Sequence, residues 1–573
     1  MRSVSLKSLI LVTFILALAV YAGKHWWYQD QIVIYTAKAI ITMEDKQARV
    51  EAVAVQQGQI VGLGTEAELL TQFAGQQLKL DRRFAGKILM PGFIENHLHP
   101  AMAAMLLPLN WITPFDWNLP DKQVNGVQNP QAYQQALSQA LQQHDGDDLF
   151  ISWGYHHYFH GKMSRQLLDK IAPKQPVMIW HRSFHEVYFN SAALAQVEFS
   201  EQELAGQAHV DLDSGHFYET GLPLALTKFK DDINQPLRFM SGLNQVAKIT
   251  HHGGITTIAD MATGMFDLEM EWQAMNWVLN DGQTPFRTRL IAMAGKLGEP
   301  AGSQAAIDKL AELRKKGSPQ FKFVKQIKLL ADGAFYSQLM QMREPGYLDG
   351  HHGEWITQPE QLQELAEAYW SAGYQLHIHT NGDLGAEVVL GVIAGLSKKM
   401  PRPDHRTTLH HLGYIGPDQA EQIAKLGILV SANPYYLYTL GEKYSELGLG
   451  PERAENIFRG RELLDHKVPL SLHSDFSMAP AQPLLLAWVA VNRVGANGKV
   501  MAPEQKLSVH EAMRAITIDA ALAIQMENEV GSLKIGKKAD FTVLEQDPYK
   551  VEPIKLKDIP IWGTVFEGKP FPL

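Results

Sequence analysis

The sequence predicts an α/β fold: a (β/α)8 barrel of the TIM type, with a small β-sandwich built jointly from the two chain ends. Three observations carry this. Eight apolar, strand-like runs (Ile88 to His99, Ile255 to Ala259, Phe286 to Met293, Lys325 to Leu330, Gln375 to His379, Thr407 to Gly413, Gly427 to Ala432 and Pro469 to His473) alternate with helix-length segments, the pattern of parallel strands joined by helical crossovers. Short alternating runs punctuated by glycine recur at both ends: Ile32 to Ile41, Val50 to Val55 and Ile60 to Gly62, then Ala539 to Leu544 and Thr564 to Pro570. The stretch from Pro100 to His252 is far longer than one crossover. Because βα loops open on the catalytic face of such a barrel, it should form a cap above the site.

The elements follow in order. Arg2 and Lys7 precede an uncharged apolar run from Leu9 to Ala22, shorter than the roughly 17–25 residues of a spanning helix and read as an export signal. Tyr21 and the Trp26-Trp27 pair make an uncleaved anchor the alternative. Either way the body is expected outside the inner membrane, in the periplasm or anchored facing it. The implied division is 1–23 for the signal or anchor, 24–87 with 525–573 for the sandwich, and 88–524 for the barrel, with the cap at about 101–250.

With 573 residues, 46% hydrophobic and 20% charged, the chain can bury a large core. A net charge of −9 argues against a nucleic-acid partner, which demands a basic surface. Cysteine is absent while histidine occurs 23 times, so a metal would have to sit on histidine, carboxylate or a modified lysine.

His97 and His99 lie two apart at the end of the first barrel strand, on one face, where two imidazoles can chelate one ion. Strand ends elsewhere carry further candidates: His377, His379 and Asp383 at the fifth, His410 and His411 at the sixth, His473 and Asp475 at the eighth. The C-terminal ends of barrel strands are where such folds keep their chemistry. Neighbours on a strand point to opposite faces, so the residues alone do not choose between His410 and His411. His156, His157, His251, His252, His351 and His352 read as surface or loop residues.

Taken in order, the motifs Leu89-Met-Pro-Gly-Phe-Ile-Glu-Asn-His-Leu-His99, Pro176-Val-Met-Ile through His185 to Leu194, Gly254-Ile-Thr-Thr-Ile-Ala-Asp260, Ile327-Lys328-Leu-Leu-Ala-Asp332-Gly333, Ser474-Asp475-Phe476 and Gly531 through Asp540 resemble the amidohydrolase superfamily, family 3, the N-substituted formamide deformylase-like branch. The resemblance spans nearly all of the chain after the N-terminal run. It implies one divalent ion on His97 and His99 and a second on His379 and His411, zinc in the first instance, bridged by Lys328 carboxylated by carbon dioxide. Lys322 and Lys325 are rivals of Lys328; alternation places Gln326 on its face and Lys325 on the other. Asp475 would be the general base and acid, and His185 of the cap would face the substrate carbonyl. Asp332 and His377 would orient ligands. The chain departs from the family pattern at His410 (commonly Glu), Phe184 (Gly) and His473 (Gly).

The implied activity is hydrolysis of a non-peptide carbon–nitrogen bond in a small amide, formamide or cyclic amide by metal-activated water. An ester, lactone or carbamate hydrolase on the same site is the nearest rival, and a catalytically silent, membrane-tethered binding protein is a rival of another class. Trp111, Trp117, Trp153, Tyr155, Tyr158 and Trp180 would give the cap an aromatic lining. Membrane contact is expected only through the N-terminal segment, and a homodimer stays open.

Overall fold

The computed structural model describes residues 31–233, 235–295, 297 and 302–573; counts of elements refer to these. The N-terminal apolar run and the export signal or anchor read from it lie outside them. No helix among the described residues is long and apolar enough to cross a membrane.

Eight parallel strands form the central sheet: β1 (Phe93–Leu98), β2 (Ile255–Thr263), β3 (Arg287–Met293), β4 (Phe321–Leu330), β5 (Gln375–Thr380), β6 (Thr408–His411), β7 (Leu429–Ala432) and β8 (Leu470–Leu472), neighbouring in that order. All eight coincide with the runs expected from sequence. The first run is broken at Gly92, where a Cβ would stand 2.0 Å from Thr256 Oγ1; only glycine lets strands approach that closely. The gap between β8 and β1 is narrowed by main-chain bonds from Asp475 N–H to His97 carbonyl, 3.1 Å, and from His99 N–H to Phe476 carbonyl, 3.3 Å.

Between β1 and β2 lies a six-stranded sheet, in the order Val210–Asp211, His216–Tyr218, Glu186–Phe189, Val177–His181, Phe150–Tyr155, Asn110–Trp111. It shares one continuous apolar core with the barrel, which includes Trp111, Trp117, Trp153 and Trp180. The aromatic residues expected to line a cap are thus largely packed on one another, Trp111 against Trp153 at 4.4 Å and against Trp117 at 5.1 Å between ring centres.

The two chain ends meet as expected, but as a single hydrogen-bonded sheet of seven strands, not as two separate sheets. The reason is the strand Leu78–Pro91, which pairs in parallel with Ile32–Ile41 along most of its length and antiparallel with Phe541–Leu544 near its end. Small cores around Val53, Phe84 and Phe541, and around Ile34, Ala54 and Leu69, flank it.

This sheet is fastened to the barrel by a buried ion pair. Arg287, on β3 and 1% exposed, donates to Asp540 and to Thr257 Oγ1. Its guanidinium also lies 4.7 Å from the centre of the Phe566 ring. Arg287 Nη2 also reaches the half-buried Glu567 at 3.3 Å, so loss of Asp540 leaves this buried charge only a longer, more exposed partner. Asp540→Asn is therefore expected to cost about 3 kcal/mol in urea unfolding, and a loss below about 1 kcal/mol would show the pair to be dispensable.

Candidate metal centre

The open ends of β1, β6 and β8 bring His97, His411 and Asp475 together, with ligand atoms all within 4.8 Å of one another. His99 joins them: its Nε2 stands 3.3 Å from His97 Nε2 and 3.0 Å from Asp475 Oδ1. Such spacings match ligands around one tetrahedral ion, where nitrogens about 2.1 Å from the metal sit roughly 3.4 Å apart. Asp475 Oδ1 is buried without a hydrogen-bond partner among the described residues. A cation fits this donor set, since an orphaned carboxylate oxygen facing two imidazoles is otherwise costly.

Burial first, with Lys328 adding to it, pushes His97, His410 and His411 well below the ordinary imidazole value and His377 down to about 3; His473 is also pushed by burial to about 3, with Asp475 partly opposing. These rings are neutral, and each has one proton to place. Two hydrogen-bond chains place it. Gln326 donates through Nε2 to the Ile524 carbonyl, 3.0 Å, which turns its oxygen toward His377 Nε2 at 3.1 Å. His377 Nδ1 then accepts from His410 Nε2, 2.8 Å, and His410 Nδ1 accepts from His97 Nδ1, 2.7 Å. The lone pair of His97 is left on Nε2, facing the site.

The second chain starts at Asn96. Its amide donates to Ser471 Oγ, 2.8 Å, which itself donates to the Val430 carbonyl. Asn96 Oδ1 accepts from Ser431 Oγ, 3.1 Å, and Ser431 accepts from His473 Nδ1, 2.8 Å. His473 Nε2 accepts from His411 Nδ1, 3.2 Å, leaving the His411 lone pair on Nε2. His377, His410 and His473 thus fix the rings of the candidate ligands His97 and His411. The triplet His97, His410 and His473, though also compact, is bound up in these chains.

Both members of the His410-His411 pair face His97, with ring centres 4.6 and 4.7 Å away, where strand alternation had placed them on opposite faces. His411 and Leu412 take left-handed backbone, φ 76° and 44°, so the strand ends at His411 and its ring turns inward. Asp475 likewise has φ 55°, and unusual backbone of this kind concentrates at functional sites. Burial opposes the ionisation of Asp475, but His99, His473 and Lys328 outweigh it and hold the carboxyl below its usual range.

Lys328 is buried with Nζ 3.5 Å from His97 Nε2, whereas Lys325 is exposed and Lys322 half-buried. Desolvation, partly offset by Asp475, pushes its ammonium down to about 7. His379 stands farther out. Its ring lies 4.5 Å from that of His411, but its Nε2 accepts from Asn381 Nδ2 at 3.0 Å. Asp332 pins the turn after β5 by accepting from the N–H groups of Gln341, Asn381 and Gly382, each at 2.9 Å. His185 of the cap hydrogen-bonds Glu219, 2.8 Å, with its ring 6.2 Å from that of His379. Phe184, where the family commonly has glycine, has φ 68°.

One residue went unnoticed in the sequence and another was misread. Glu95 is fully buried, accepts from Ser474 N–H at 2.8 Å, and is pushed up to about 8 by desolvation. Its position two before His97, on the same strand face, was the available signal. His156 was expected at the surface but is fully buried, because it closes the inner cap strand Phe150–Tyr155.

If the chain through Gln326 fixes the His97 tautomer, His410→Ala should weaken zinc binding about 10- to 100-fold, the usual cost of losing an orienting partner. Chelator competition measures this, and an unchanged affinity would refute the role.

A family model described as amidohydrolase family matches residues 85–571. The N-substituted formamide deformylase of Arthrobacter pascens is 24% identical, with 92% of this chain and 96% of the relative covered. The protein LONG AFTER FAR-RED 3 of Arabidopsis thaliana is 24% identical over 90% and 88%. In fold, the chain is similar to an uncharacterized metal-dependent hydrolase from Pyrococcus horikoshii OT3, TM-score 0.69 at 20% identity, covering 91% of this chain and 99% of that one. With its eight-stranded parallel sheet and its histidine and aspartate cluster at the strand ends, the chain belongs to the amidohydrolase family.

Proposed function

We propose that this protein hydrolyses a non-peptide carbon–nitrogen bond in a small amide, formamide or cyclic amide, with one or two divalent ions, zinc in the first instance, held by His97, His99 and His411, and by His379 once its Nε2 exchanges the Asn381 amide for an ion. The observation that carries the reading is the convergence of His97, His99, His411 and Asp475 at the strand ends, with the His97 lone pair on Nε2 facing Asp475 Oδ1 at 3.5 Å and His99 Nε2 3.0 Å from the same oxygen. The relative named N-substituted formamide deformylase supports the choice of bond.

A bound divalent ion supplies Lewis acidity and brings the pKa of a coordinated water toward neutrality. Asp475, ionised and with Oδ1 free, accepts the proton of the attacking water and delivers it to the departing nitrogen. His185 donates from its imidazole to the carbonyl oxygen as negative charge develops there. Burial disfavours its proton, but Glu219, with Asp475 and Glu186 behind it, raises its pKa, so the donor stays charged to higher pH. Lys328, whose ammonium is pushed down to about 7 by burial, can add carbon dioxide in its neutral form and would then offer two anionic oxygens to the ions. We read the apolar run ending at Ala22 as the export signal or anchor that delivers this body outside the inner membrane.

Asp475→Asn should lower kcat at least about 100-fold, the usual range for a positioned acid–base group, on whichever of the N-formyl, N-acyl and cyclic amides the wild type cleaves. A panel in which only esters or lactones turn over would reject the amide assignment. Lys328→Ala should lose one equivalent of metal by mass spectrometry and regain it with added formate or acetate. Because protonation blocks carboxylation, bicarbonate-dependent metal uptake by the wild type should fall as pH drops through about 7. Unaltered metal content in Lys328→Ala would rule out the carbamate.

A further inference from the structure

The cap holds a second group of buried polar side chains, in the layer facing the strand ends. Arg182 follows the cap strand Val177–His181 and is fully buried. Its Nη2 donates to the Met478 carbonyl, 3.0 Å. Nε and Nη1, which carry three N–H groups between them, make no well-formed hydrogen bond among the described residues, although the buried Tyr435 hydroxyl lies close to the guanidinium. The guanidinium lies among aromatic rings, 5.1 Å from the centre of Tyr336, 5.4 Å from Trp117 and 6.0 Å from Phe115. These rings ease the burial of a cation, but Nε and Nη1 still lack well-formed hydrogen bonds, which is costly for a buried charge.

Beside it, His156 and His181 are fully buried, with ring centres 5.0 Å apart. Arg182 is close enough to act electrostatically on His156. The Nε2 atoms of both rings also lack partners. With His157 they make a compact triplet that looks like a metal site, but their hydrogen bonds contradict that. His156 Nδ1 accepts from Tyr158 N–H, 3.2 Å, and His181 Nδ1 accepts from Ser183 N–H, 3.1 Å, with the Ser183 hydroxyl 2.9 Å away. A neutral imidazole that accepts at Nδ1 carries its proton on Nε2, so both orphaned atoms are donors, not ligands. Glu186, the nearby carboxylate, lies on the Nδ1 side of His181 at 3.5 Å and is engaged by His216 at 2.9 Å.

The group adjoins the reaction centre. Met478 lies three residues beyond Asp475, His185 three beyond Arg182, and Tyr436 sits between His411 and Tyr336, at 6.4 and 5.4 Å. We propose that Arg182, with the Nε2–H groups of His156 and His181, is a receptor for a carboxylate carried by the substrate at the end away from the bond that is cleaved. Unpaired N–H donors around a fixed positive charge match an anionic, acceptor-only group, and the surrounding aromatic rings favour a flat apolar spacer between that group and the amide. This substrate class rests on the amide-hydrolase reading above.

The test separates the two. In full-length Asp475→Asn protein, which would hold ligand without turnover, titration calorimetry compares 3- and 4-formamidobenzoate and N-formylphenylalanine with their matching carboxamides. The carboxylates should bind about 10- to 100-fold more tightly, the range of a charged hydrogen bond. Adding Arg182→Met should erase the difference, and His181→Phe should reduce it. A carboxylate held by a metal instead would keep its advantage in Arg182→Met. Equal affinities for acids and carboxamides with Arg182 intact, a comparison that needs no pocket variant, would overturn the receptor, as would the absence of binding by every carboxylate. Arg182-dependent binding without turnover of any amide by the wild type would leave the receptor standing and reject the amidohydrolase reading.

Discussion

A buried neutral imidazole has one proton for two nitrogens, and at the mouth of this barrel that constraint is resolved outside the site itself. Gln326 and Asn96, each locked by donation to a neighbouring group, end two hydrogen-bond chains that leave the lone pairs of His97 and His411 on Nε2, that of His97 turned toward Asp475. The chains work only because desolvation keeps the rings neutral. They need the barrel closed as well, since Asn96 on β1 must reach Ser431 on β7 and Ser471 on β8.

The same accounting of protons distinguishes the two histidine clusters. At the strand ends, acceptors behind the rings pull protons outward and expose lone pairs, an arrangement for a cation. In the cap, main-chain donors occupy Nδ1 and push protons inward, an arrangement for an anion. One fold thus presents a cation-binding floor and an anion-binding roof, with Tyr336 and Tyr436 between them. The continuous apolar core that joins cap and barrel keeps these surfaces in register.

Three residues that depart from the family pattern acquire physical roles. His410 and His473, standing where Glu and Gly are common, are links in the two chains. Phe184 takes the left-handed backbone that glycine would adopt freely.

Much of this was legible beforehand, because strand order and strand ends are written in local hydrophobic pattern: the eight barrel strands and the strand-end positions of His97, His99 and Asp475, while Lys328 was preferred to Lys325 from the Ala-Asp-Gly that follows it. Side-chain environment was not. His156 read as a surface residue since no local pattern reports burial beneath a distant strand, and Glu95 was passed over because its partner is Ser474 across the barrel closure. The joined terminal sheet and the inward turn of His411 depend on long-range pairing and on one residue's φ, which periodicity cannot see. The sequence by itself determined the family, the strand order and the candidate ligands, because these follow from residue type and spacing. Only the tertiary structure decided which nitrogen of each histidine is free and which buried charge lacks a partner, because both depend on contacts between residues hundreds of positions apart.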